Sequence, residues 1–438
     1  MKKKYFGTDG IRGTAYKFPM NSDFLYSLAR AISNNDNTIG RILIGMDTRE
    51  SCEYIKNSLV NGFISYGVTC ECIGVVSTPI LCFYTKLSNY DMGIMISASH
   101  NPYEDNGIKI FKKNGEKLSD KEELSIEEKI FTKKNIKLKN ETIQNPLNNF
   151  SEYEKFLFDK VSLPKNRLNN NIVVDCANGS LWDFAPKFFK KLNFNLFAYG
   201  CSPNGNNINQ DCGSTHPEVI KKAVVDHRAD FGVSLDGDGD RVIIVDEKGN
   251  ILDGDDLLYI LAFANPNRTG VWSGVVGTKM SNLGLEDAIT KLGYKFVRAD
   301  VGDKYVSNML TKKGWMLGGE TSGHIICKDL VSTGDGTIAA LKVISSLLLL
   351  EKDPSEVLSN YTKMPQVNNA VKVSNKDIVN DKDLLSLIKE IESDITVGRV
   401  LVRASGTESK IRVMIEAPEE KVAKKYVKDI SDLIKSKS

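Results

Sequence analysis

The chain alternates between short apolar runs, bounded by glycine or small polar residues, and longer stretches in which apolar positions follow helical spacing. The short runs predict buried strands, and the amphipathic stretches predict helices packed on one face. One order of strand, small-residue turn, helix and second strand occurs three times, with glycine after the first and third helices and asparagine after the second. It occupies residues 41–46, 52–66 and 68–76, then 172–175, 181–192 and 196–199, then 274–277, 285–292 and 295–299. We therefore predict three related α/β domains with mixed sheets.

The last part of the chain has a different pattern, which predicts an α+β domain. Strands are expected at 371–373, 399–403 and 410–415, and helices at 382–392 and 419–435. Three changes in composition mark domain boundaries: the lysine- and asparagine-rich residues 132–150, a hairpin signal at 248–256, and a change of pattern near 363–369. They predict four domains, at 1–150, 151–252, 253–366 and 367–438.

Composition excludes several classes of protein. The net charge of +2 over 438 residues gives no reason to expect nucleic acid or an anionic membrane as a partner. The most apolar stretch, residues 338–350, contains Lys342 and is too short to cross a bilayer, so we predict a buried helix there. The eight cysteines have no paired spacing, which is typical of reduced thiols in the cytoplasm.

Three aspartates, Asp236, Asp238 and Asp240, alternate with glycines between two segments of strand character. The glycines permit tight turning, so the three carboxylates can converge on one point. A set of oxygen ligands selects Mg²⁺, Mn²⁺ or Ca²⁺ over softer metals. An EF-hand calcium loop is disfavoured, because Arg241 stands where its turn needs glycine and strands flank the segment.

A serine at the end of an apolar strand is the predicted nucleophile. Residues 94–102 read IMISASHNP, which places Ser99 where α/β proteins bind ligands, at the carboxyl end of a sheet. Ser97 would point to the same face of an extended strand, so the residue pattern leaves both serines open. Lys109 downstream and Arg12 in a glycine-rich segment upstream are cations that can neutralise a transferring phosphoryl group.

Two further polar turns are predicted to bind substrate. Residues 318–324, GGETSGH, place Glu320 and Ser322 two positions apart, where they can bridge neighbouring hydroxyl or amino groups on a sugar. Residues 403–412 combine Arg403 and Arg412 with hydroxyls and a glycine turn, which suits a phosphate monoester because arginine forks match its geometry. Together these motifs predict metal-assisted phosphoryl transfer through a serine.

In this order the motifs resemble those of the α-D-phosphohexomutase superfamily, over essentially the whole chain. The similarity is carried by YFGTDGIRG at 5–13, ISASHNP at 96–102, CGSTHPE at 212–218, TKMSN at 278–282 and TGDG at 333–336. Family members commonly have proline where this chain has Ser409. The predicted phosphate-binding loop at 403–412 is therefore expected to be less rigid than in those family members, with a modest effect on substrate affinity.

The resemblance implies four domains around a central cleft, with Ser99 as the phosphorylated residue. It implies Mg²⁺ held by Asp236, Asp238, Asp240 and a phosphate oxygen on Ser99. We also expect two sets of residues around the substrate. The catalytic set is Ser99, His100, Lys109, Arg12 and Arg241, and the binding set is Glu320, Ser322, His324, Arg403, Ser405, Gly406, Thr407 and Arg412. His100, Lys109 and His324 stay open as acid–base groups.

The reaction implied by the resemblance interconverts glucosamine 6-phosphate and glucosamine 1-phosphate, with glucosamine 1,6-bisphosphate as intermediate and activator. The product would feed UDP-N-acetylglucosamine and peptidoglycan synthesis in the cytoplasm, and the family suggests a homodimer. A mutase of mannose or glucose phosphates with the same mechanism is the nearest alternative. A serine phosphatase is more distant because it needs no second phosphate site, and a catalytically silent metal-binding phosphoprotein is a third alternative.

Overall fold

A computed structural model describes residues 3–35, 38–131, 150–161, 163–164, 170–405 and 409–438 of the chain. Residues up to 131 form a five-stranded mixed sheet with its helices. The elements are β1 (Ile11–Thr14), α1 (Ser22–Asn35), β2 (Arg41–Met46), α2 (Cys52–Ile64), β3 (Thr69–Val75), α3 (Thr78–Leu87), β4 (Met92–Ile96), β5 (Asp105–Lys112) and α4 (Asp120–Glu127). The strand order is β1-β5-β4-β2-β3; β2 pairs parallel with β3 and β4, and β5 pairs antiparallel with β4 and β1.

A second five-stranded mixed sheet follows. Its elements are α5 (Ser151–Lys160), β6 (Asn171–Asp175), α6 (Phe184–Lys191), β7 (Asn195–Tyr199), α7 (Glu218–His227), β8 (Phe231–Leu235), β9 (Val242–Val245) and β10 (Ile251–Leu252). The strand order is β10-β9-β8-β6-β7, in which β6 pairs parallel with β7 and β8, and β9 pairs antiparallel with β8 and β10.

The third sheet has four strands. Its elements are α8 (Gly254–Ala264), β11 (Gly274–Thr278), α9 (Leu283–Lys291), β12 (Lys295–Ala299), α10 (Asp303–Lys313), β13 (Leu317–Gly319), β14 (Ile325–Cys327), α11 (Gly336–Leu350) and α12 (Pro354–Leu358). The strand order is β12-β11-β13-β14; β11 pairs parallel with β12 and β13, and β13 pairs antiparallel with β14.

These three sheets repeat one topology. In each, one strand (β2, β6 or β11) pairs parallel with a neighbour on either side. The neighbour that comes later in the chain (β4, β8 or β13) also pairs antiparallel with the strand that follows it (β5, β9 or β14). The fourth sheet is antiparallel throughout, in the order β15-β17-β16. Its elements are β15 (Gln366–Lys372), α13 (Lys382–Asp394), β16 (Arg399–Ala404), β17 (Lys410–Glu416) and α14 (Glu420–Ser436). The predicted fold class, three related α/β units and a C-terminal α+β unit, is confirmed.

The α/β units pack together, and the C-terminal unit has its own core. One apolar cluster runs from Leu43 to Tyr361 through all three α/β sheets, and α11 lies almost wholly inside it, as predicted for residues 338–350. A separate cluster joins α13 and α14 to the last sheet. Within the described residues, no helix is both long and apolar enough to cross a membrane.

One helix begins later than the sequence predicted. Residues 181–183 form a turn, and α6 begins only at Phe184, because the preceding backbone docks on the neighbouring loop through a hydrogen bond from Ser180 N to Gly237 O at 2.8 Å. Of the connection predicted at 132–150, residues 132–149 lie outside the described residues.

The second and third units are joined by a buried hydrogen bond that offers a test of their packing. The Tyr153 hydroxyl of α5 donates to Asp335 Oδ2 at 2.5 Å, while Asp335 Oδ1 accepts from Ile338 N at the start of α11. Tyr153→Phe removes the donor and leaves a buried carboxylate oxygen unsatisfied, which we expect to cost about 1–3 kcal/mol. Urea unfolding followed by tryptophan fluorescence should show a lower midpoint. Tyr16→Phe, at a half-exposed ring, should leave the midpoint unchanged.

Candidate active site

The serine loop, residues 97–102, follows β4 and turns sharply at Ser99, whose φ of +56° lies in the left-handed region. Its hydroxyl is buried and donates to Asp236 Oδ2 at 2.6 Å, with His100 Nδ1 at 3.3 Å. The Ser97 hydroxyl instead donates to Asp47 Oδ2 at 2.6 Å. The premise that both serines lie on one face of an extended strand is wrong, because β4 ends at Ile96 and the turn separates their side chains. Only Ser99 faces the acidic loop.

The acidic loop connects β8 to β9 and brings Asp236, Asp238 and Asp240 together. Each offers one carboxylate oxygen within 4.8 Å of the others, and all three side chains are buried. A Cβ at Gly237 would lie 2.6 Å from Ser99 O, so glycine is required for the close approach of the two loops. Within the described part of the chain, Asp238 Oδ1 is buried with no hydrogen-bond partner. Unsatisfied hard oxygen atoms suit a hard divalent cation such as Mg²⁺, so these residues fit the expected metal.

The pKa values of Asp236 and Asp240 are shifted in opposite directions. Burial, followed by the charges of Asp240 and Asp238, raises the pKa of Asp236 to about 8. Burial also opposes ionisation of Asp240, but Lys109 and His324 outweigh it and hold the pKa of Asp240 well below its usual value. The cluster therefore carries a proton on Asp236 near neutral pH when no metal compensates its charge.

Lys109 on β5 lies in the middle of this acidic site. Its Nζ is 2.7 Å from Asp238 Oδ2, 2.8 Å from Asp240 Oδ2 and 2.9 Å from Asp9 Oδ2. Burial lowers the pKa of Lys109, but these carboxylates outweigh the effect and raise the pKa well above its usual value. Lys109 is therefore a fixed cation.

The two other acid–base candidates have different surroundings. Burial, with the positive charges of Arg241 and Arg12, lowers the pKa of His100 to about 3, so its ring is neutral in the physiological range. His324 is buried with its Nδ1 3.5 Å from Asp240 Oδ1, and its Nε2 accepts from Gly334 N at 3.1 Å. Both ring nitrogens of His324 thus face protein groups.

Two arginines border the serine loop. Arg12 Nη1 donates to Asn101 Oδ1 at 3.2 Å, and its other terminal nitrogen pairs with Asp9. The backbone N–H of Arg241 donates to Asp236 Oδ1 at 3.1 Å, while its guanidinium lines the cleft described below.

The predicted sugar-binding turn is a hairpin between β13 and β14. Glu320 Oε1 accepts from Gly302 N at 2.9 Å, which fixes the carboxylate at the cleft wall. Burial raises the pKa of Glu320, with a further contribution from Asp303. Ser322 is exposed on the same wall.

The last unit supplies a pair of arginines. Arg403 on β16 and Arg412 on β17 are directly opposed across the two strands. Burial and the charge of Arg412 lower the pKa of Arg403, and among the described residues its Nε has no hydrogen-bond partner. Such a pair is stabilised by an anion. Of the predicted phosphate-loop residues, Ser405 lines the cleft, whereas Gly406 and Thr407 lie outside the described residues.

One cleft of about 880 Å³ is lined by residues of all four units. It is lined by Asp9 and His100 from the first unit, Arg241 from the second, Glu320, Ser322 and His324 from the third, and Arg403, Ser405 and Arg412 from the fourth. A ligand in this space would contact both acidic and basic side chains, and it would lie next to His100 and Arg241, which follow the buried Ser99 and Asp240 in the chain.

Sequence reasoning missed several residues of this site. Asp9 stands in the motif that supplied Arg12, and it pairs with Lys109, Arg12 and Lys117. Lys117 also pairs with Asp303 of the third unit. Asp9 could have been predicted, because it lies in the same motif at 5–13 as Arg12. Nothing near Lys117 or Asp303 in the sequence indicates that they form a pair.

Comparison with known proteins accounts for nearly the whole chain. The four family models of phosphoglucomutase/phosphomannomutase match in order: alpha/beta/alpha domain I over residues 3–137, domain II over 151–249, domain III over 253–364, and the C-terminal domain over 368–433. The phosphoglucosamine mutase of Pseudoalteromonas translucida is 40% identical and the alignment covers 100% of this chain and 99% of that protein. That of Neisseria subflava is also 40% identical, with 100% of both chains covered.

Solved structures share the fold at lower identity. A phosphoglucomutase/phosphomannomutase family protein from Burkholderia thailandensis superposes with a TM-score of 0.80 at 21% identity, covering 98% of this chain and 97% of that one. The N-acetylphosphoglucosamine mutase of Aspergillus fumigatus, solved with GlcNAc-6P and magnesium, has a TM-score of 0.67 at 19% identity and covers 98% and 95%.

The protonation of Asp236 predicts how cation binding depends on pH. Because its pKa is about 8, the carboxyl group is mostly protonated at pH 7 and must lose that proton to bind a cation. We therefore expect affinity for Mg²⁺ to rise with pH up to about 8 and then to level off. Calorimetric titration with MgCl₂ at pH 7, in two buffers of different ionisation enthalpy, should detect proton release. Asp236→Asn should abolish that release, and equal heats in both buffers for the unaltered protein would contradict the prediction.

Proposed function

The chain belongs to the phosphoglucomutase/phosphomannomutase family, the α-D-phosphohexomutases, and we propose on this basis that it interconverts glucosamine 6-phosphate and glucosamine 1-phosphate. The observation that carries the mechanism is the Ser99 hydroxyl, buried against the aspartate cluster and next in the chain to His100, which lines a cleft that also contains the two arginines. The choice of an amino sugar rests on the relatives, which are phosphoglucosamine mutases at about 40% identity over their full length.

In the proposed reaction Ser99 carries a phosphoryl group and donates it to the free hydroxyl of the sugar phosphate, which forms glucosamine 1,6-bisphosphate. Asp236, Asp238 and Asp240 would hold Mg²⁺, which would supply positive charge against the transferring phosphoryl group. Arg12, Lys109 and Arg241 would add fixed positive charge next to Ser99. The intermediate then turns end for end and returns its other phosphoryl group to Ser99, leaving the isomer.

The three acid–base candidates have different relations to the Ser99 hydroxyl. Lys109 stays charged among its carboxylates, and the ring nitrogens of His324 face Asp240 and Gly334. His100 is neutral and its Nδ1 lies 3.3 Å from Ser99 Oγ, so it can orient the hydroxyl by a hydrogen bond, but with a pKa of about 3 it is too weak a base to keep the proton.

The remaining groups would bind the part of the substrate that does not react. Arg403 and Arg412 would hold the distal phosphate, helped by Ser405, while Glu320 and Ser322 would bind sugar hydroxyl or amino groups. A phosphatase needs no such distal phosphate site, so the arginine pair favours a mutase. We also propose that the bisphosphate acts as activator and that the product enters UDP-N-acetylglucosamine and peptidoglycan synthesis.

Turnover of a substrate panel tests the proposal. With Mg²⁺ and a trace of hexose bisphosphate, the protein should convert glucosamine 6-phosphate faster than glucose or mannose phosphates. Ser99→Ala should abolish turnover without changing the melting temperature, since no group is left to carry the phosphoryl. Ser58→Ala, a buried serine on α2 outside the cleft, is the matched control.

Two outcomes would contradict parts of this proposal. Preference for glucose or mannose phosphate would retain the mechanism and change the substrate. Steady release of inorganic phosphate, or turnover by Ser99→Ala, would reject the mutase mechanism through Ser99.

The arginine pair provides a separate test. Arg412→Ala removes a charge-assisted hydrogen bond to phosphate, worth about 1.5–3 kcal/mol. We expect KM for the sugar monophosphate to rise roughly tenfold or more, with a smaller change in kcat. Lys372→Ala removes an exposed positive charge from the same sheet and should leave KM unchanged. Equal KM values for Arg412→Ala and the unaltered protein would exclude a phosphate contact at this position.

A further inference from the structure

Behind the serine loop lies a buried group of polar side chains that the proposed chemistry does not use. It consists of Asp47, Arg49, Ser97 and Asn209, which we call the clamp. The first three belong to the first α/β unit, and Asn209 belongs to the second. Their hydrogen bonds converge on Ser99 and on the residues that follow it.

Arg49 contributes most of these contacts. Its side chain is fully buried, and every N–H of its guanidinium group has an acceptor. Its Nη2 donates to Ser99 O at 3.1 Å and to Asn101 O at 2.8 Å. Its Nη1 donates to Asp105 O at 2.9 Å and to Pro102 O. Arg49 therefore fixes the backbone of the whole turn.

Asn209 contacts the same turn from the neighbouring unit. Its Nδ2 donates to Ser99 O at 2.9 Å and to Asn101 O at 3.0 Å, so both carbonyl oxygens accept hydrogen bonds from Arg49 and Asn209 together. Asn209 itself adopts φ +57°, and its backbone N–H donates to Ala177 O at 2.8 Å. The position of the turn is thus set jointly by two units.

Ser97 and Asp47 complete the clamp at the backbone N–H of Ser99. The backbone N–H of Ser99 donates to Ser97 Oγ at 2.9 Å, and Ser97 Oγ donates to Asp47 Oδ2 at 2.6 Å. The same carboxylate oxygen accepts from Arg49 Nε at 3.0 Å. A continuous chain of hydrogen bonds therefore joins Arg49 to the N–H of Ser99.

We propose that the clamp positions Ser99 for phosphoryl transfer, by holding its backbone in the left-handed conformation that directs the hydroxyl toward Asp236. The left-handed region is unfavourable for serine, so it persists only where surrounding contacts determine it. Both peptide groups of Ser99 are bound by the clamp, its N–H by Ser97 and its C=O by Arg49 and Asn209. The members of the clamp are positioning residues, and their role rests on the proposed function.

Two conservative variants test the clamp. Asn209→Asp keeps the size and the tolerance of a left-handed backbone but loses at least one of the two hydrogen bonds, because an aspartate has one donor when protonated and none when ionised, and Ser97→Ala removes the acceptor for Ser99 N–H. Because a small misplacement of a reacting group costs on the order of 100-fold in rate, we expect kcat to fall by that order while KM changes little. The ³¹P resonance of phosphorylated Ser99 should shift or broaden in both variants, which a loss of global stability alone would not cause.

Glu71→Gln is the matched control, because Glu71 is buried in the same unit and bound to Arg41 and Tyr90, on the edge strand β3. It should lower the melting temperature and leave kcat and the ³¹P spectrum unchanged. Folded Asn209→Asp and Ser97→Ala proteins with unaltered kcat and ³¹P resonance would overturn the clamp. The unaltered protein, assayed in parallel, tests the proposed function independently of the clamp. If it failed to convert glucosamine phosphates, that result would contradict the proposed function and not the role of the clamp.

Discussion

Three aspartate carboxylates and a serine hydroxyl are buried together at the boundary of the first two α/β units, and the charge of the carboxylates is compensated across that boundary. Buried carboxylates without partners would be strongly destabilising. The acidic loop belongs to the second unit, whereas Lys109, which contacts Asp238 and Asp240, belongs to the first. The same boundary is crossed by Ser99 toward Asp236 and by Asn209 toward Ser99. The contacts that compensate the buried charge are therefore also the contacts that bring the parts of the site together.

The repeated topology explains why three different chemistries meet in one cleft. The serine loop follows β4, the acidic loop follows β8 and the sugar-binding turn follows β13, and each of these strands is the later parallel neighbour in its sheet. Equivalent connections in the three units thus face the same space, at the carboxyl ends of parallel strands where α/β folds bind ligands. One fold repeated three times positions the proposed nucleophile, the proposed cation-binding loop and the proposed sugar-binding turn.

The cleft is electrically polarised, and that polarity suits a ligand with two phosphate positions. Burial in the aspartate cluster favours a cation or a proton on Asp236, whereas Arg403 and Arg412, in the cleft lining, are paired across two strands and favour an anion. The unit that carries the arginines has its own core, separate from the core that the three α/β units share. In the proposed reaction a bisphosphate would satisfy both sets of residues, in either orientation.

The sequence by itself determined the local elements and the loops that carry chemistry, because strand and helix periodicity, glycine turns and dense motifs are properties of neighbouring residues. It predicted the three repeats, the α+β end, the three aspartates and the arginine pair. The residue pattern alone left Ser97 and Ser99 open, and the family resemblance selected Ser99; the physical difference between them is the left-handed turn after β4, which separates their side chains. The sequence also gave no reason to join Lys117 to Asp303, or Arg49 and Asn209 to the serine loop. Those contacts join residues far apart in the chain, and charge compensation and hydrogen bonding select them only after the units have packed.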